Sequence, residues 1–220
     1  MDKRHIYGLM IDTEAANSMD DPLVYDIGYQ IIDTKGRKYE ERSFVVKDIF
    51  CDEREIMRTA YYAQKIPQYV EDIRNGSRLL LPLVNIKRII QADIENYNCK
   101  FICAHNARFD YRSIHTTQRW LTKSKWRYFF PKGLVWYDTM KMSNDVIVPM
   151  KMYQRFCEKN GYLTKAGKPR KTAEILYRYI INDNTYIEEH KGLQDVDIER
   201  QIFAYCVRQK KKMNKKLFNS

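Results

Sequence analysis

Apolar and polar positions along this chain change period in a definite order. Residues 6–11 are mostly apolar and run into Asp12, Thr13 and Glu14, which predicts a strand ending in two carboxylates. Residues 23–33 read as a second strand, with Val24, Ile27, Tyr29, Ile31 and Ile32 as core positions and a turn at Thr34-Lys35-Gly36-Arg37. A third strand is expected over 38–46, and the short spacing predicts an antiparallel meander. The stretch 48–81 is less periodic; 53–64 and 67–74 are candidate short helices, the second stopped by Asn75-Gly76-Ser77. Residues 82–97 place Leu83, Val84, Ile86, Ile89, Ile90 and Ile94 at helical spacing behind Pro82. A buried strand at 100–105, a helix at 109–121 and a strand at 135–137 come next, with Asp138 or Thr139 placed to cap the helix after them. Helices are expected at 149–160, 172–182 and 193–212, with a loop over 161–169. This order defines an α/β fold: a mixed sheet containing a three-strand antiparallel meander, with flanking helices.

The chain has 220 residues, which suits a single domain over 1–212 with insertion-like stretches near 48–81 and 119–134 and a basic tail at 213–220. Lys and Arg total 39 against 28 Asp and Glu, a net charge of +11. That surplus favours a polyanionic partner, nucleic acid first and an anionic membrane surface second. No apolar run approaches the ~18 residues of a membrane span, and the N-terminus reads as no signal peptide. Five scattered cysteines are expected to be reduced thiols of an intracellular, cytoplasmic protein. Cys99, Cys103 and His105 are close in sequence, but no second ligand pair follows, so a zinc site is not expected. The many Lys, Asn, Ile and Tyr residues fit an AT-rich coding genome, such as that of a bacterial virus.

Side chains alternate sides along a strand, so Asp12 and Glu14 point the same way. Two acids on one face repel unless a cation lies between them, and a divalent metal favours both ionised forms. The alternative is a solvated strand end. In Ala104-His105-Asn106-Ala107-Arg108-Phe109-Asp110, Asp110 falls in the first turn of a helix fed by a strand. There it is either a site residue or an acid favoured by the helix dipole. His190 and Asp195 lie on different faces at ~100° per residue, so they converge only if Gly192 marks a bend.

Together Asp12-Thr13-Glu14, the string from His105 to Asp110, and His190 with four residues before Asp195 resemble the three motifs of the DEDDh 3′–5′ exonucleases. That family includes polymerase proofreading subunits and oligoribonucleases, and has the ribonuclease H-like fold. In the sister DEDDy group a tyrosine stands four residues before the last aspartate, where this chain has Lys191. The resemblance implies that Asp12, Glu14, Asp110 and Asp195 hold two Mg²⁺ or Mn²⁺ ions and that His190 is the general base. It also implies nucleic-acid contacts from Thr13, Ala15, Asn106 and Phe109. Many relatives continue the first motif with Thr-Gly, where this chain has Ala15-Ala16.

The stretch 119–132 interleaves cations with aromatics and includes Trp126 and Arg127, two further candidates for nucleic-acid contact. It is either a surface for phosphates and stacked bases or a core-anchored connection with solvated lysines. Arg208, Lys210, Lys211, Lys212, Lys215 and Lys216 give the tail a cationic run that holds nucleic acid nonspecifically or is a solvated helix end. The leading expectation is an exonuclease of single-stranded DNA. An RNA-directed exoribonuclease, a polymerase-bound proofreading subunit and an inactive nucleic-acid-binding module are the alternatives.

Overall fold

A computed structural model describes residues 5–61, 63–124, 128–187 and 191–218. Its centre is a mixed sheet in the order β4-β3-β2-β1-β5-β6. Strands β1 (Tyr7–Ala16), β2 (Leu23–Asp33) and β3 (Lys38–Val46) form the antiparallel meander expected from sequence. Short helices α1 (Lys47–Phe50) and α2 (Arg54–Met57), a 3₁₀ turn at Ala63–Lys65 and α3 (Ile66–Arg74) follow β3. Strand β4 (Leu79–Leu81) returns the chain to the sheet parallel to β3, and α4 (Leu83–Asn96) follows. Next come β5 (Phe101–Ala104), α5 (Arg108–Thr122) and β6 (Val135–Asp138). Helices α6 (Thr139–Val146), α7 (Lys151–Asn160), α8 (Ala173–Ile181) and α9 (Gly192–Arg208) complete the chain.

Alternation along β1 separates two cores. Leu9 and Ile11 pack with α1 to α5 on one face, whereas Met10 packs with α6 to α9 on the other. Strand β2 is buried along its whole length, which explains its nearly continuous apolar sequence. In α4 the buried row is Leu83, Ile86, Ile90 and Ile94, while Val84 points to solvent. The Asp48 carboxylate accepts the Leu83 N–H at 2.6 Å and so caps α4 from α1. Asp138, not Thr139, caps α6, accepting from Met140 N at 2.8 Å.

The pattern over 48–81 and at the C-terminus differs from the sequence expectation. Strand β4 is three leucines before a proline, too short to show a period, and its parallel partner is set by tertiary contact. Helix α9 stops at Arg208 rather than at 212, because the chain turns through a left-handed Lys210. It then returns to the sheet: Leu217 N donates to Trp136 O at 2.9 Å and Asp138 N to Lys215 O at 2.8 Å. The basic end of the chain is thereby held along β6.

The pairing of β1 on its two sides positions Asp12 and Glu14. Its parallel pairing with β5 ends at Met10↔Cys103, so both acids extend beyond β5 into the space where α5 departs. Its antiparallel register sets Asp12 opposite Gly28 and Glu14 opposite Asp26, with a bulge after Glu14. Gly28 lies against Gly192 at the start of α9: a Cβ on Gly28 would fall 2.2 Å from the Gly192 carbonyl carbon. Backbone meets backbone here, so neither side can yield by changing a rotamer. Gly28→Ala is therefore expected to lower stability by about 1–3 kcal/mol, the usual cost of overpacking. Urea denaturation checks this, and a wild-type midpoint would contradict the contact.

Candidate active site

The close approach at Gly28 brings the first turn of α9 over β1. One carboxylate oxygen each from Asp12, Glu14 and Asp195 then lies within 4.8 Å of the others. Among the described residues this is the group of acids, histidines and cysteines able to share a metal ion. Asp110 is outside that group of three; Thr13 Oγ1 donates to its Oδ1 at 2.9 Å, and its charge acts on both Asp12 and Glu14. Thr13 is thus engaged with an acid. Ala15 and Phe109 are half-buried beside this cluster in sequence, and Asn106 is exposed in the left-handed region at φ 61° just before α5. His190, Trp126 and Arg127 lie outside the described residues.

Crowding of acids shows in their protonation. Burial, then Glu199, Asp110, Asp195 and Glu14, hold the Asp12 carboxyl well above its ordinary range. Glu14 is pushed up to about 9, first by burial and then by Asp195 and Asp26, with Lys65 opposing. Burial pushes Asp110 up to about 7 against the stabilising hydrogen bond from Thr13. Glu199, one turn beyond Asp195 on α9, is a further buried acid of this cluster, and its Oε2 accepts the His105 N–H at 3.0 Å. Sequence reading passed over it, although a four-residue spacing places both acids on one helix face.

His105 is a structural residue. Its Nδ1 pairs with Thr139 Oγ1 at 2.9 Å and its Nε2 with Lys171 O at 3.0 Å, and burial pushes its pKa down to about 4. Cys99 and Cys103 are buried free thiols.

The segment between β3 and α4 holds the start of α9 in place. Asp26, fully buried, accepts from Arg78 Nη1 on one oxygen. On the other it accepts from Tyr69 OH at 2.7 Å and Gly192 N at 3.0 Å. Arg78 also donates to Asp72 at 3.2 Å, and Lys191 Nζ lies 3.7 Å from the same carboxylate. Two acids and two cations therefore balance around the residues that open α9. A buried charge left alone is costly, so Arg78→Ala should lower stability by about 3–5 kcal/mol. Urea denaturation measures it; a loss under ~1 kcal/mol, typical of exposed pairs, would contradict the buried network.

A second expectation concerns pH. A carboxyl whose pKa is raised by folding stabilises the protein below its ordinary value, and that contribution fades as pH rises through the folded one. The metal-free thermal midpoint should therefore fall from pH ~4, the ordinary carboxylate range, upward. The fall should run through about 7 for Asp110 and about 9 for Glu14. Mn²⁺ or Mg²⁺ should restore stability most at the alkaline end. Thermal melts across this range check both signs, and Glu14→Gln should flatten the upper limb.

The mixed sheet with its meander, and acids collected where β1 outruns β5, make an arrangement that is similar in fold to solved 3′-exonuclease structures. A full-length 3′-exonuclease has a TM-score of 0.62 at 12% identity, over 96% of this chain and 85% of that one. The nuclease domain of 3′hExo, a DEDDh family member bound to rAMP, has a TM-score of 0.50 at 11% identity, over 99% and 100%. Exonuclease I of E. coli, in complex with a 5cy-dT13 oligonucleotide, has 0.53 at 11%, covering 93% of this chain but 40% of that one. At such identities the likeness is one of fold. No family model and no curated protein matches the sequence.

Proposed function

We propose that this chain is a metal-dependent 3′–5′ exonuclease acting on single-stranded nucleic acid, with DNA the favoured substrate. The meeting of Asp12, Glu14 and Asp195 within 4.8 Å carries the reading. The donor set is all carboxylate oxygen, which suits Mg²⁺ or Mn²⁺ better than zinc. Acids whose pKa burial raises are also acids whose ionised form a bound cation would favour. Asp12, Glu14, Asp110 and Asp195 would hold two such ions. When bound, a pair of this kind supplies a water activated for attack and stabilises the leaving oxygen.

The remaining work belongs to the protein. Thr13 orients Asp110 through its hydroxyl, and the Gly28–Gly192 contact fixes the reach of Asp195. His190, next to the anchored Lys191, accepts the proton of the attacking water as general base. Ala15, Asn106 and Phe109 border the terminal nucleotide. The net charge of +11 favours a polyanion, which the acids of the site alone would repel. Among the described residues no helix is long and apolar enough to cross a membrane. A replication partner such as a polymerase would meet lysine side chains at the C-terminus, since that backbone is engaged by β6.

A time course on 5′-labelled single-stranded DNA and RNA of equal sequence, with Mg²⁺, Mn²⁺ or EDTA, tests the reading. Laddering from the 3′ end with metal, and none in EDTA, is expected; RNA laddering faster than DNA would replace DNA as the favoured substrate. Asp12→Ala, Glu14→Ala, Asp110→Ala and Asp195→Ala should each abolish most turnover, whereas Asp145→Ala should retain it. His190→Ala should lose about 10²–10⁴ in single-turnover rate, the usual worth of a positioned base. A base must be neutral, so the wild-type rate should rise with pH through the titration of His190. A mutant with the wild-type rate and the same pH limb would remove His190 from that role.

A further inference from the structure

Helix α5 has a second functional face. At ~100° per residue Arg108, Arg112, His115 and Arg119 form one stripe, on the side of the helix opposite Asp110. With Tyr128 and Phe218 they line an open groove of about 420 Å³. Phe218 reaches it because the C-terminal segment is held on β6 by the Leu217 N–H. Its ring meets Tyr111 edge-on at 5.1 Å, and Tyr111 lies 4.4 Å from the His115 ring. The Tyr128 ring meets His115 edge-on at 6.1 Å.

Both outer residues stay about half in water: Tyr128 is 54% and Phe218 48% exposed. Rings serving only as core would be covered. The three arginines are exposed as well. Arg112 donates to Met19 O, and Arg119 to His115 O at 3.2 Å and Thr116 Oγ1 at 3.3 Å. Among the described residues none of the three pairs with a carboxylate, and no carboxylate lines the groove.

We propose that this groove binds the single strand upstream of the 3′ end, with phosphates on Arg108, Arg112 and Arg119 and bases against Tyr128 and Phe218. Cations alone would accept any polyanion; half-exposed rings between them select one that carries bases. From Arg108 to Arg119 the helix rises ~16 Å, enough for about five nucleotides at the ~3.4 Å spacing of stacked bases. Arg108 stands two residues from Asp110, so a strand leaving the groove rounds the start of α5 to reach the acids. That polarity rests on the exonuclease reading. The affinity of the groove does not.

The test is equilibrium binding in EDTA, where no turnover occurs. The probes are labelled thymidine and uridine oligomers of 3 to 12 nucleotides and an abasic 12-mer. Wild-type affinity should rise with length, and the abasic strand should bind weakly. Tyr128→Ala/Phe218→Ala should weaken the thymidine or uridine 12-mer about 5- to 100-fold, the worth of one or two stacked bases, and leave the 3-mer unchanged. Arg112→Ala/Arg119→Ala, which removes two surface charges together with their hydrogen bonds to Met19, His115 and Thr116, should flatten the log–log salt dependence of 12-mer binding by about 1.4. The proposal is overturned if both double variants bind the 12-mers like wild type. It is equally overturned if the abasic strand, or polyglutamate of equal charge, binds as well as the base-bearing one. Length-dependent binding lost in the variants, in a protein that cleaves nothing with Mg²⁺ or Mn²⁺, would keep the groove and remove the exonuclease reading. Comparison of the thymidine and uridine series assigns the sugar.

Discussion

The contact between Gly28 and Gly192 governs the geometry of the site. Asp12 sits opposite Gly28 in the sheet, and Asp195 lies three residues beyond Gly192 in the first turn of α9. Any side chain at either glycine would hold helix and strand apart by the width of a methyl group or more. The acid cluster is therefore a product of two missing side chains as much as of the acids themselves.

Bringing acids together costs electrostatic energy, and the protein supplies its cations one layer behind them. Arg78 and Lys191 neutralise Asp26 and Asp72, and Asp26 in turn receives the first N–H of α9. The segment that separates β3 from α4 thus serves the site without contributing an acid to it. A buried, balanced network of this kind fixes the helix start in one place, because moving it would strand a charge away from its partner.

Much of this was legible in the sequence, and the limits of legibility have physical causes. Strands β2 and β3 and the strand-to-helix passage into Asp110 are encoded locally, by alternation and by turn residues. Helix α9 begins at Gly192, the residue at which the spacing of His190 and Asp195 called for a bend, while His190 itself lies outside the described residues. The roles of Arg78, Tyr69 and Glu199 are different, because each depends on a partner tens of residues away. Arg78 in isolation is one of many basic residues, and only burial beside Asp26 distinguishes it. Of the aromatic-basic stretch at 119–132, Arg119 and Tyr128 line the groove, but Phe218, which lines it with them, comes from the far end of the chain.

Strand β6 lies at one end of the sheet, and residues 214–218 run alongside it. An open strand edge is a template for pairing with other chains, and folded proteins cover or blunt such edges. The lysine-rich end of this chain is therefore a guard on the sheet as well as a store of charge. Trimming it would uncover backbone donors and acceptors of β6, and with them a route to self-association. Loss of behaviour in a shortened chain would then report an unprotected edge before it reported lost lysines, whereas changing lysine side chains leaves the guard in place.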